Sequence, residues 1–262
     1  MGEAIVFTSG KGGVGKTTTI ANIGVGLSQL DKKVVMLDTD MGLRNLDVVM
    51  GLEDRITYNL MDLLENKCRL NQCLIKDKRY TNLYMIPASL KYKRIRQYEE
   101  NFHILVSNLK SEFDYVLIDC PAGIEDGFHF AISAADRVVL VTNPNVSAVR
   151  DASRVICLLE QNRYHNVELL VNETDEKLVK RHDMLSALDI EEILGVPLLG
   201  DIPIDNKVLI SQNRGLPVIS IHRSKAARAY HIISRNMLIS KVHPVDLAAE
   251  DNKIVYGEEI TI

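Results

Sequence analysis

Short apolar runs alternate along this chain with longer stretches whose apolar residues recur every three or four positions. Runs such as Val34-Val35-Met36-Leu37 and Val138-Val139-Leu140-Val141 are continuous. A half-solvated strand would alternate apolar and polar residues, so continuous runs predict strands covered on both faces, as in a mostly parallel sheet. The expected strands are Ala4–Thr8, Val34–Asp38, Leu83–Pro87, Tyr115–Asp119, Arg137–Thr142, Val167–Asn172 and Val196–Ile202. Helical periodicity falls between them at Lys16–Leu30, Gln97–Lys110, Ser147–Asn162 and Ser224–Ser240. This alternation predicts an α/β fold, a doubly wound three-layer sandwich around a mostly parallel sheet. No repeat, low-complexity tract or Pro/Gly-rich linker interrupts it, so residues 1–241 are expected to form one domain, followed by a tail over 242–262. Ligands of such sheets bind beyond the carboxyl ends of the strands, which makes the polar residues there the ones to inspect.

Composition narrows the options. At 262 residues with 46% hydrophobic content, the chain can bury the core of one large domain. Its 31 basic and 35 acidic residues give a net charge of −4, so no strong global attraction to nucleic acid or to an anionic membrane is expected. No apolar run approaches the roughly 18 residues of a membrane-spanning helix. Met1 to Ser9 passes straight into a strand pattern without the layout of a signal peptide. Cys68, Cys73, Cys120 and Cys157 form no C-x-x-C pair, which argues against a zinc, dithiol or iron–sulfur site. They are expected to be reduced, mostly structural thiols, and the compartment cytoplasmic.

The chemistry starts after the first strand. Gly10-Lys11-Gly12-Gly13-Val14-Gly15-Lys16-Thr17 satisfies G-x-x-x-x-G-K-[ST] between a predicted strand and a predicted helix. Glycines let the backbone amides wrap an anionic phosphate, and the following helix adds the positive end of its dipole. Lys16 is expected to reach the β- and γ-phosphates, and the Thr17 hydroxyl to bind Mg²⁺, with Thr18 completing the cradle. The nucleotide is therefore a cofactor with its metal. Two further strands end in carboxylates, Leu37-Asp38-Thr39-Asp40 and Val116-Leu117-Ile118-Asp119. Acidic groups there can orient a water and meet the hydration shell of Mg²⁺; their plain alternative is to cap a helix.

Lys11 makes the loop Lys-Gly-Gly-Val-Gly-Lys-Thr-Thr, which resembles the deviant Walker A motif of the MinD/ParA family of P-loop ATPases. The resemblance implies ATP and Mg²⁺ as cofactors and an ATP-dependent homodimer in which Lys11 crosses to phosphate in the partner subunit. Asp40 would position the attacking water with Asp38 beside it. Asp119, in Asp-Cys-Pro-Ala-Gly, would act on the magnesium site, and the Gly123 amide would sense the γ-phosphate. Asn172, Pro203 and Asp205 resemble the base-binding edge, and Thr142-Asn143-Pro144 with Ser147-x-x-Arg150-Asp151 resembles a segment near the subunit interface. Gly42-Leu43-Arg44-Asn45-Leu46-Asp47, Asn71 to Asp77 and Leu83 to Ser89 are similar to the MinD branch, and the likeness runs from about Gly2 to about Ser240. That branch implies slow, partner-stimulated ATP hydrolysis used to place the division septum. Its partners would be a MinC-like inhibitor and a MinE- or DivIVA-type factor. The alternative is a ParA-like ATPase that segregates DNA or other cargo, against which the acidic balance counts.

Three departures stand out. Glu173 follows Asn172 where the family tends to carry arginine, and Asn145 stands where MinD proteins usually have glutamate. The tail from Val242 is acidic and lacks the basic amphipathic face of a membrane helix, so weak lipid binding is expected. Peripheral contact with the inner face of the membrane would then rest on the basic cluster Lys91, Lys93, Arg94 and Arg96.

Overall fold

Every expected strand is present in the computed structural model, which describes residues 1–91 and 95–239. In chain order the strands are β1 (Glu3–Thr8), β2 (Val34–Asp38), β3 (Ile75–Lys76), β4 (Leu83–Ile86), β5 (Tyr115–Asp119), β6 (Arg137–Thr142), β7 (Val167–Thr174) and β8 (Leu198–Pro203). The helices are α1 (Lys16–Gln29), α2 (Leu46–Met50), α3 (Leu60–Leu64), α4 (Leu70–Cys73), α5 (Glu99–Glu112), α6 (Asp126–Ser133), α7 (Val146–Gln161), α8 (Glu176–Lys180), α9 (Ala187–Leu194), α10 (Asn206–Gln212) and α11 (Lys225–Ile239). The strands join in one sheet of order β3-β4-β2-β5-β1-β6-β7-β8. All pairings are parallel except β3 with β4.

Alternation within each strand splits the core in two, as period-2 geometry requires. Ala4 and Val6 of β1 face the layer of α5, α6, α7 and α9, whereas Ile5 and Phe7 face α1 and α11. Helix α1 is buried nearly all round, while α7 and α11 bury one stripe each. In α7 the buried stripe is Ala148, Val149, Ala152, Val155, Ile156 and Leu159; in α11 it includes Ala226, Tyr230, Ile233 and Met237.

The differences from expectation are local. β7 runs to Thr174 rather than Asn172 because a bulge between Asn172 and Thr174 lets it continue beside β8. The last strand begins at Leu198, after Pro197, and not at Val196. Helices α2, α3, α4, α6, α8, α9 and α10, and the two-residue β3, have no counterpart among the expected elements. Each is too short to develop a hydrophobic period, and several are stabilised instead by caps, such as Asn59 with Asp62 on α3 and Ser186 with Asp189 on α9. Lys93, Arg94, Ser240 and the tail over 242–262 lie outside the described residues.

Candidate functional site

Parallel pairing aligns the carboxyl ends of β2, β5 and β1. Asp38 is in register with Asp119, and Asp119 with Phe7, one residue before β1 ends. Three polar segments therefore emerge side by side: the loop Gly10–Thr17, the Asp38–Asp40 turn and the Asp119–Gly123 turn. Around them lies a cavity of about 720 Å³. Gly12, Gly13, Val14, Gly15, Lys16, Thr17, Thr18, Asp40, Asn172, Pro203 and Asp205 all line it, together with Ser9, Glu173, α2 and α10.

The loop takes its shape from two left-handed glycines, Gly13 at φ 81° and Gly15 at φ 88°. Gly15 ends the loop at the α1 N-terminus, where no acidic residue in the first turn neutralises the positive end of the dipole. Side chains at Gly10 and Gly15 are excluded by space as well. A Cβ on Gly10 would sit 2.4 Å from the Asp151 carbonyl, and one on Gly15 would sit 2.2 Å from Nδ2 of Asn172. Asn172 is itself buried and donates from Nδ2 to the Val14 carbonyl at 2.9 Å, bracing the loop from β7.

Lys16, the loop's inward cation, is 7% exposed and donates to Oδ1 of Asp119 at 3.0 Å. Burial alone would lower its pKa, but the adjacent Asp119 carboxylate outweighs it and keeps the ammonium more basic than usual. Asp38 is fully buried and accepts from the amides of Asp40 (2.9 Å) and Leu46 (3.3 Å). Burial, and next the Asp119 charge, push its carboxyl up to about 8. Asp40 is only half-buried and opens into the cavity. Burial raises its pKa, with Lys16 pulling the other way. Two apposed carboxyl groups share one lysine, and the upward push on Asp38 shows that they lack the positive charge to ionise together, which a divalent cation would supply. Among the described residues no group of three or more His, Cys, Asp or Glu could hold a metal alone. A cation here would complete its shell with the Thr17 hydroxyl, phosphate oxygens and water, the usual manner of Mg²⁺.

Lys11 does not line the cavity. It is exposed, and its ammonium donates to Oγ of Ser147 at 3.2 Å, which in turn donates to Oδ1 of Asn145 at 2.8 Å. Gly123 (φ 93°) donates its amide to the Ser9 carbonyl at 3.1 Å, linking the Asp119 turn to the phosphate loop. Asp205 has its carboxylate engaged elsewhere. Oδ1 accepts from the Lys207 amide (2.9 Å); Oδ2 accepts from Ser224 Oγ (2.6 Å) and the Lys225 amide (2.8 Å), so the residue caps α10 and α11. Partial burial would raise its pKa, but these hydrogen bonds outweigh it and hold the carboxyl below its ordinary value. Glu173, at φ 62°, accepts from Nδ2 of Asn143 at 3.3 Å.

Sequence reasoning missed Gln212 and Tyr230, which also line the cavity. Gln212 hydrogen bonds Thr18 Oγ1 from across 194 residues of chain, and the Tyr230 hydroxyl lies 3.4 Å from Thr19 Oγ1. Neither belongs to a motif; only folding brings them to the loop.

An AAA domain family matches residues 2–172. The septum site-determining protein MinD of Bacillus subtilis is 48% identical over 257 residues, 97% of this chain and 95% of its own length. This chain belongs to the MinD family. The MinD of Synechocystis sp. is 44% identical over 97% of this chain and 96% of its own. Among solved structures, the MinC:MinD cell division protein complex of Aquifex aeolicus superposes with a TM-score of 0.84 at 43% identity, covering 93% of this chain and 98% of that one. The MinD of Pyrococcus horikoshii complexed with Mg-ADP superposes at 0.81 with 26% identity, over 94% and 100% of the two chains. A ParA family ATPase from Chlorobium tepidum gives 0.74 at 21% identity, a likeness of fold alone. The MinD relatives span nearly the whole chain and not the phosphate loop alone.

Proposed function

We propose that this chain is an ATPase that works as a dimerising switch in placing the division septum. Like the MinD family to which it belongs, it would bind ATP with Mg²⁺, pair with a second copy and recruit a MinC-like inhibitor. A MinE- or DivIVA-type factor would act on the cycle. Its identity to MinD relatives over nearly all of its length supports this over the ParA-like alternative.

The observation that carries the reading is the arrangement of the two lysines. Lys16 is buried beneath the cavity, while Lys11 sits at the exposed edge against the α7 N-terminus, where a second subunit's phosphate could be reached. In our reading the loop amides and Lys16 hold the phosphates, and Thr17, Asp38 and Asp119 hold the Mg²⁺, which neutralises charge developing on the transferred phosphoryl group. Lys16 would share its donors between Asp119 and phosphate oxygen. Asp40 faces the cavity half-exposed and would orient the attacking water. Positioning and charge stabilisation dominate phosphoryl transfer, so one such carboxylate suffices. Turnover would be slow without a partner, because the dimer must outlast its recruitment step.

Light scattering tests the switch. Asp40→Ala should cut turnover on the order of 10²-fold, as loss of a water-positioning group does, and accumulate a dimer with MgATP but not MgADP. A monomer under MgATP would overturn the proposal. Only a difference in affinity between the ATP and ADP states can drive the cycle.

A further inference from the structure

The stretch that ends at Asp77 belongs to no step of the nucleotide chemistry, yet the structure gives it a task. β3 and β4 meet at a turn that holds Asp77, Arg79 and Tyr80. Asp77 is almost wholly buried, so its charge needs a partner on the spot. Arg79 supplies one: Nε donates to Oδ1 at 3.0 Å and Nη2 to Oδ2 at 2.7 Å. The same guanidinium reaches two other segments. Nη1 donates to the Gly215 carbonyl at 2.9 Å, and Nη2 also donates to the carbonyl of Met50.

Those two carbonyls belong to two neighbouring elements that both line the nucleotide cavity. Met50 ends α2, which lines it with Val48 and Val49; Gly215 follows α10, which lines it with Val208, Leu209 and Gln212. The two segments also touch directly here. A Cβ on Gly215 would fall 2.6 Å from Gly51 Cα, and one on Gly51 would fall 2.8 Å from the Gly215 carbonyl oxygen. Flanking bonds lie on either side: Arg55 donates to the Lys76 carbonyl at the end of β3 (2.7 Å), and the Tyr80 hydroxyl lies 2.6 Å from Ser220 Oγ.

We propose that Arg79, oriented by Asp77, is a positioning residue that ties α2 to the α10 segment and so sets the width of the nucleotide cavity. Arginine is required because its planar fork makes four bonds at once, two to the carboxylate and one to each carbonyl, whereas an ammonium has only three donors. The inference rests on the reading of this cavity as the nucleotide site. Arg79 holds the last residue of α2, whereas the contact of that helix with Asp38 is made by its first, so loss of Arg79 acts chiefly on binding.

The test uses the full chain with Arg79→Met, Arg79→Lys and Gly215→Ala, and wild type and Lys16→Ala as references. MgADP affinity is read by calorimetry, turnover by steady-state kinetics and folding by thermal melts. Arg79→Met should weaken MgADP about tenfold, the size of a typical coupling between contacting groups, and raise KM while kcat stays within about twofold. Arg79→Lys should lose roughly threefold. Gly215→Ala keeps the Arg79 side chain but, at φ 61° and with its Cβ 2.6 Å from Gly51 Cα, displaces the segment whose carbonyl Arg79 holds, and should weaken MgADP like Arg79→Met. A merely structural role would lower melting temperatures and leave MgADP affinity unchanged in the folded variants; that result overturns the inference. If Arg79→Met fails to fold, Arg79→Lys and Gly215→Ala decide by the same criterion. Wild type that binds no MgADP would overturn the nucleotide reading first, whereas wild-type binding with unaltered variants overturns this inference alone.

Discussion

Lys16 and Asp119 form the most constrained pair of side chains in the site, two charges buried against each other 3.0 Å apart. Such a pair contributes little to stability by itself, because desolvation offsets its attraction. Its consequence is preorganisation: the ammonium is held where a phosphate would arrive. Lys16→Ala should therefore abolish ATP binding while circular dichroism still shows a folded α/β chain. A folded variant that binds MgATP normally would remove this assignment. Asp205 has a different load. Its carboxylate serves the first turns of both α10 and α11, so Asp205→Ala should cost about 2 kcal/mol of stability, the upper end for a lost N-cap. Urea unfolding would measure it, and a change under about 0.5 kcal/mol would mean the caps are replaced by water.

At the scale of elements, α1 shows tertiary packing overriding helix propensity. Gly24 and Gly26 sit in its middle, where Ala would ordinarily stabilise by about 1 kcal/mol. A Cβ on Gly26, however, would lie 2.1 Å from Ser234 Oγ and 2.9 Å from Ile219 Cδ1, and α11 packs closely on α1 only because it is absent. Gly26→Ala should thus lower the melting temperature instead of raising it. A thermal melt decides the sign, and a stabilised variant would show that α11 can move aside at no cost. The nearby Asn22 explains part of this rigidity. Its side chain donates to the Thr18 carbonyl and accepts from the Ile219 amide, fastening the segment before α11 to the helix that carries Lys16 and Thr17.

For the whole molecule, charge and hydropathy bear on attachment to a membrane. No helix among the described residues is long and apolar enough to cross a membrane. Residues 242–262 include Asp246, Glu250, Asp251, Glu258 and Glu259, which anionic lipid repels. Pairing two such segments multiplies a weak affinity and gains little. Of the basic cluster, Lys91 is exposed and Arg96 pairs with Asp126 at 2.9 Å. Purified chain should therefore sediment weakly with anionic liposomes under both MgATP and MgADP. Strong ATP-dependent sedimentation that survives neutralising Lys91, Lys93, Arg94 and Arg96 would place the lipid contact in the tail.

Legibility followed the range of the interactions. The long strands and helices could be read from the chain because burial on both faces, or on one stripe, repeats along it. The phosphate loop and its two acidic neighbours could be read because phosphate binding demands glycines, lysine and strand-end carboxylates at fixed spacing. The seven short helices could not, since a turn or two of helix owes its existence to a cap and to neighbours. Nor could the register that sets Asp38 beside Asp119, the contacts of Gln212 and Tyr230 with the loop's helix, or the reach of Arg79 to Met50 and Gly215. Those join residues far apart in sequence, with no local pattern to announce them. By itself the sequence determined where the glycine-rich loop, its two lysines and the strand-end carboxylates fall along the chain. The tertiary structure alone decided what surrounds them, because cavity walls are made by long-range packing that only the closed fold specifies.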